Sequence, residues 1–345
     1  MYSKTIQKRE YHLGLLMLLA VACVQCLPTG TGLRPVKALW DYAKIVGYPA
    51  LLFLFGSLSR EVINTRERLV RFSMAFAELY LVQKLLLFWL RCAMGGTPGF
   101  GLFNTPGASW LFLVLTEYLL LMLWLEKTRW DRRLLFVIAL AAGCLYGLVS
   151  WNGDRFCLAR AVVFLPLFLL GRWTDPEQRG RWLDRLWVKL LALAGTAAVL
   201  TVCWLKADFL YKLSGFFECN ENFASLSSGI IGRYGPLVRL GWYGLVLCLT
   251  FGLLALMPNR RLPVVTNRRL PVVTDLSEAW PEAYLWQRPI TILFSTVLMD
   301  QLSGRLGKLG YLVGLALALV LLVIACLPWA VRPVKWLLRN ANFWN

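Results

Sequence analysis

Few side chains in this sequence are equipped to make or break bonds, and their types narrow the chemistry. His12 is the one histidine among 345 residues, so neither a His-based catalytic pair nor a multi-histidine metal site can be assembled. Nine cysteines are present, most of them inside apolar runs, where a thiol behaves as a small hydrophobe. Cys23 and Cys26 make a C-x-x-C pair, but without the redox or zinc context that gives that spacing meaning. Cys26 as a nucleophile needs an activating base, and none is visible in the sequence. Cys92 and Cys219 lie near loops on one side of the expected bundle, which leaves a bridge between them open. No P-loop, H-E-x-x-H, zinc-spaced cysteine set or G-x-S-x-G occurs, and no metal site is expected.

The remaining candidates are polar residues inside apolar stretches: Glu78, Gln83, Lys84, Glu117, Arg160, Gln287 and Arg288. An ionisable group there is costly unless paired or hydrated, so each marks either an interhelical contact or a polar path. Glu78 and Lys84, six positions apart on one helix, face different ways. Lys84 with Glu117 of the next helix is the expected pair.

The elements that must hold these residues follow from composition. The chain is 58% hydrophobic and only 16% charged, with sixteen Trp and a mean hydropathy of +0.59. A soluble domain is about 25% charged, so a membrane-embedded all-α protein is expected. Stretches that approach the roughly 20 apolar residues of a span lie near 11–28, 40–59, 70–94, 109–126, 134–151, 156–173, 187–205, 239–257, 283–300 and 309–331. A polytopic bundle of about ten transmembrane helices results. The N-terminus, with Lys4, Lys8 and Arg9 before an apolar stretch, reads as the first span and not as a cleaved signal.

Most of the 37 basic residues fall on one side, including Arg9, Arg60, Arg68, Arg71, Arg172, Arg179 and Arg332. The positive-inside rule then puts both termini in the cytoplasm. Basic loops at an anionic leaflet account for the net charge of +18 without any nucleic acid. Two connections are long: an extracytoplasmic one at 206–238, a candidate lid, and a cytoplasmic one at 258–282. The second contains the octapeptide NRRLPVVT twice, at 259–266 and 267–274, a short duplication to which no chemistry is assigned.

In order and content the stretches resemble the acyltransferase-3 family of bacterial integral membrane acyltransferases, especially its fucose 4-O-acetylase-like and glucan succinyltransferase branches. REYHLGLLMLLAV at 9–21 is similar to the family's opening helix. YPALLFLFGSLS at 48–59 is similar to its second helix, with Phe55 where serine is usual. Arg68-Leu-Val-Arg71 resembles a cytoplasmic R-x-x-R, SWLFLVL at 109–115 the start of the fourth span, and FLPLFLLG at 164–171 the sixth. MPNRRLPVVT and then YLWQRPI at 284–290 resemble the arginine-rich loop and the Y-L-L-H-R-P phrase behind it. The resemblance covers most of the chain as a single transmembrane domain, 1–345.

It implies transfer of an acyl group, acetyl above all, from cytoplasmic acyl-CoA to a hydroxyl of an exported polysaccharide or lipid-linked glycan. The setting it implies is the bacterial inner membrane, with acyl-CoA as a donor substrate and no bound cofactor. Arg68 and Arg71 then suit the CoA phosphates, since guanidinium binds phosphate bidentately; plain retention by the positive-inside rule is the other reading. The family's two histidines are matched here by Gln25, in AVACVQC, and Gln287, in YLWQ. Glutamine hydrogen-bonds but takes no proton near neutral pH. That leaves Cys26, Glu78 and Glu117 as candidate substitutes, while His12 precedes Gln25 by about 20 Å of helix. An active transferase, a catalytically inactive relative working among polysaccharide-assembly proteins, and an unrelated small-solute transporter all remain open.

Overall fold

The computed structural model describes residues 3–26, 34–63, 65–96, 109–128, 130–149, 156–219, 221–226, 229–258 and 277–337. Among them the secondary structure is entirely helical. All ten expected stretches fall wholly or partly on helices. Both copies of the octapeptide, at 259–274, lie outside the described residues.

In chain order the main helices are α1 (Ser3–Cys26), α2 (Arg34–Val62), α3 (Arg66–Ala93), α4 (Trp110–Thr128), α5 (Arg132–Leu145) and α6 (Leu158–Trp173). Then come α7 (Pro176–Leu183), α8 (Leu186–Leu205), α9 (Ala207–Lys212), α10 (Ser214–Glu218) and α11 (Gly229–Leu256). The last are α12 (Trp280–Leu293), which passes through a π-helical turn at Phe294–Leu298 into α13 (Met299–Leu306), α14 (Lys308–Ala325) and α15 (Pro328–Leu337). Among the described residues, four carry segments long and apolar enough to cross a membrane: Lys37–Arg60, Arg66–Ala93, Leu186–Leu205 and Gly229–Leu256. Leu309–Ala325 with Trp329–Trp336, bent by 56°, makes a fifth if the pair is one span. The stretch at 134–151 fares differently. α5 has 14 residues before a 3-10 turn at Tyr146–Leu148, short of the 20 or so that a span takes.

The chain divides into two compact units. The first comprises Met1–Leu54, Thr174–Tyr211 and Gly244–Arg332, and the second Phe55–Trp173, Lys212–Tyr243 and Pro333–Asn345. In the first unit α1 packs on α12 and α14. Their closest approach needs Gly14, because a β-carbon there would overlap the fully buried indole of Trp280. The N-terminal half of α1 is tied to α7 and the residue that ends it by two ion pairs, Glu10 with Arg179 and Arg9 with Asp184. Arg9, Glu10 and Arg179 are all buried. Each of these two arginines, counted among the basic residues of one side, is met by a carboxylate that packing brings to it.

In the second unit α3 packs on α4, and α6 on both α4 and α5. Pro166 lies inside α6, where proline removes one ladder hydrogen bond and crowds the preceding turn. Two tyrosines brace that turn: Tyr118 donates to the carbonyl of Ala161 at 2.7 Å and Tyr243 to that of Val163 at 2.5 Å. Gly56 lets the end of α2 lie directly on the Phe168 carbonyl, where a side chain would collide. Next to it Arg172 donates to Ser59 Oγ at 3.0 Å and to the Ile63 carbonyl at 2.9 Å. Arg172 thus caps the C-terminus of α2, where a cation is favoured by the helix dipole.

Candidate functional site

The two glutamines that stand at the expected histidine positions meet in the first unit. Gln25 is in the last turn of α1 and Gln287 in the middle of α12. Gln287 Nε2 donates to Gln25 Oε1 at 3.1 Å. The same oxygen accepts from Arg288 Nη1 at 3.2 Å and from Thr291 Oγ1 at 3.3 Å. Gln25 Nε2 in turn donates to the hydroxyl of Tyr48 on α2. Three elements of unit 1 therefore converge on one amide. Helical spacing explains the α12 contribution, since residues 287, 288 and 291 fall on adjacent turns and share one side.

This cluster is rich in donors and poor in bases. Amide, guanidinium, hydroxyl and phenol can hold a carbonyl, hydroxyl or oxyanion, but none takes a proton readily at neutral pH. Gln287 is fully buried and its Oε1 has no hydrogen-bond partner; Arg288 Nε is in the same position. An acceptor and a donor are thus left for a further group. Pro289 inside α12 and the π-helical turn at Phe294–Leu298 flank the cluster. Such irregularities interrupt helices most often at functional sites.

The other candidates are dispersed. Cys26 is fully buried in an apolar cluster with Phe294, Met299 and Ala318. His12 is half-buried near the beginning of α1; thirteen residues of unbroken helix keep it about 20 Å from Gln25. In the second unit Glu78 is exposed and Glu117 half-buried. Lys84 Nζ donates to the Tyr80 hydroxyl of its own helix at 3.1 Å. The cause is spacing, because residues i and i+4 of one helix are neighbours without any help from packing.

Arg68 and Arg71 are exposed in the first two turns of α3. Thr65 caps the helix by accepting from the Arg68 N–H at 3.3 Å. Arg71 lies 4.0 Å from Glu67, a solvent-exposed pair worth little to stability. Arg160 Nε donates to the Glu218 carbonyl at 3.0 Å, with its guanidinium over the Trp110 ring.

The stretch 206–238 is mostly helical, made of α9, α10 and the first turns of α11. Its anchor in the second unit is Arg239, which is fully buried. Arg239 Nη1 donates to the Phe216 carbonyl at 2.7 Å and to Cys219 Sγ at 3.4 Å. Its guanidinium lies 3.8 Å from the Phe216 ring centroid and 5.2 Å from that of Trp242. Cys219 is buried and Cys92 exposed, both as free thiols, so the bridge left open between them is not formed. Burial pushes the Cys219 thiol up, and Arg239 offsets this only in part.

Two charged residues of this arrangement escaped the sequence reading. Asp41 of α2 is fully buried near Lys37, Lys44 and Asp208, and Glu282 is buried in the first turn of α12. Asp41 was detectable by the rule that any acid inside an apolar stretch is a candidate. Among the described residues no group of three or more His, Cys, Asp or Glu is placed to hold a metal ion. No family model, curated protein or solved structure matches the chain.

Proposed function

We propose that this chain is a multi-pass protein of the bacterial inner membrane, with about ten spans and both termini cytoplasmic, built for acyltransferase-3-type chemistry. The donor is acyl-CoA, with acetyl-CoA the first choice, and the acceptor is a hydroxyl of an exported polysaccharide or lipid-linked glycan. The contact between Gln25 and Gln287 carries the reading. Two positions singled out by resemblance, far apart in the chain, supply one donor-rich cluster with an acceptor and a donor still unused.

In the transfer, the acceptor oxygen attacks the thioester carbonyl, an ester bond forms and the carbon–sulfur bond breaks. Glutamine cannot take the hydroxyl proton, so it leaves with the departing CoA thiolate, whose ordinary pKa is about 8.5. Arg288, whose Nε is unused, is the donor available to a developing oxyanion. By the resemblance, Arg68 and Arg71 are the residues that suit the CoA phosphates.

A second reading is favoured by the chemistry of the same pair. With amides at both positions and no base among their bonded partners, the chain is a non-catalytic relative that binds a glycan as a membrane subunit of polysaccharide assembly.

Acetyl-CoA binding and hydrolysis by the detergent-purified protein separate the two. Transfer chemistry requires binding that weakens when Arg68→Ala and Arg71→Ala are combined. Activity arising only in the Gln25→His, Gln287→His double variant identifies the non-catalytic relative. Absence of binding in every form ends the acyl-donor reading.

A further inference from the structure

The corner between α7 and α8 carries a surface for which acyl transfer has no use. The inward side of this corner is taken up by α1, through Arg179 with Glu10 and Asp184 with Arg9. Arg181, Trp182, Arg185 and Trp187 face outward, all exposed. The two indoles meet edge to face, with centroids 5.7 Å apart and planes at 83°. That geometry is favourable for aromatic pairs and holds the two rings as one wedge. Because Asp184 is engaged with Arg9, Arg181 and Arg185 leave the corner positive.

What borders this corner is decided by α8. Only 11% of its apolar window is buried against the rest of the chain, and Leu186 is 72% exposed at its very start. Such a helix is stable where lipid covers it. Tryptophans and arginines at the end of a lipid-facing helix sit at headgroup depth, ring toward the acyl boundary and charge toward the phosphates. α8 also begins without a side-chain cap, so its first N–H groups add donors for an anion. The corner between α4 and α5, in the other unit, repeats the pattern. There Trp124 and Trp130 lie 5.8 Å apart, with Lys127, Arg132 and Arg133 exposed beside them.

We propose that the α7–α8 corner is a binding site for the headgroup of an anionic phospholipid, with Arg181 and Arg185 on the phosphate and Trp182 and Trp187 on the glycerol–acyl boundary. The site is independent of the transfer reading and stands or falls separately from it.

Native mass spectrometry of the full-length protein tests it, with phosphatidylglycerol and phosphatidylcholine of matched chains offered together. The wild type is expected to retain phosphatidylglycerol in preference. Combining Arg181→Ala with Arg185→Ala is expected to weaken that retention about 25-fold, about fivefold for each guanidinium near an anionic surface. Combining Trp182→Ala with Trp187→Ala should weaken both lipids and keep the preference. If the double alanine variant does not purify, Arg181→Gln with Arg185→Gln is read in its place, with the same loss expected. Equal retention of the two lipids by the wild type overturns the proposal. So does an equal loss in a control lacking Arg233 and Arg305, which are exposed elsewhere. Displacement of the lipid by inorganic phosphate, or a dimer that the double variant splits, would also overturn it.

Discussion

Gln25 and Gln287 are 262 positions apart in sequence, yet Nε2 of one donates to Oε1 of the other at 3.1 Å. Gln25 Oε1 is the hub of this cluster, since it accepts from three donors. Replacing Gln25 by leucine takes the acceptor from Gln287 and Arg288 at once, while Thr291 keeps its bond to the Arg288 carbonyl at 3.0 Å; Gln287→Leu removes a single donor. A stranded buried polar group costs about 1–3 kcal/mol. Thermal unfolding in detergent should therefore show Gln25→Leu losing clearly more stability than Gln287→Leu. Equal losses would mean that the hub is shared differently.

The α1–α7 ion pairs make a second expectation. Glu10 and Arg179 are both buried, so Glu10→Ala leaves an uncompensated guanidinium and should cost roughly 3–5 kcal/mol. The exchange Glu10→Arg with Arg179→Glu keeps one charge of each sign and should recover a good part of that loss. A melting series on the two single variants and the exchange measures the coupling.

Cysteine labelling reports on the 206–238 segment. The thiolate is the reactive form, and burial both shields Cys219 and lowers its thiolate fraction at neutral pH. Maleimide should label Cys92 in the folded protein and reach Cys219 only on unfolding. Labelling of both at equal rates in the native state would contradict the buried placement.

At the proline of α6, Tyr118→Phe and Tyr243→Phe each remove one bond to the carbonyls around it. Each should cost about 0.5–1.5 kcal/mol. The double variant is expected to open α6 near Pro166, seen as faster amide hydrogen exchange confined to its first half.

Much of the architecture was legible because apolar runs are local. Each of the ten stretches read from sequence contains helix, since a run of leucines and valines between charged ends needs no distant partner to be recognised. Helix ends were less legible. α5 stops at Leu145, where a 3-10 turn ends it, although the apolar pattern continues to about residue 151. Of the candidate site, the positions of Gln25 and Gln287 were visible through resemblance, whereas Arg288 and Thr291 as co-donors to Gln25 were not. Nor was it legible that Arg9 and Arg179 are buried against acids, since each partner lies about 170 positions away in the chain.

What the sequence determined alone was the class of protein: an all-helical chain with segments fit for a bilayer and a single histidine. These are properties of composition and of short windows, and they survive any arrangement of the helices. Tertiary structure decided who meets whom. Gln25 finds Gln287, Glu10 finds Arg179, and Lys84 finds the Tyr80 hydroxyl one turn back on its own helix. The reason is physical: a side chain's partner depends on the rotation and depth of its helix against its neighbours, which are set by the packing of many distant residues together.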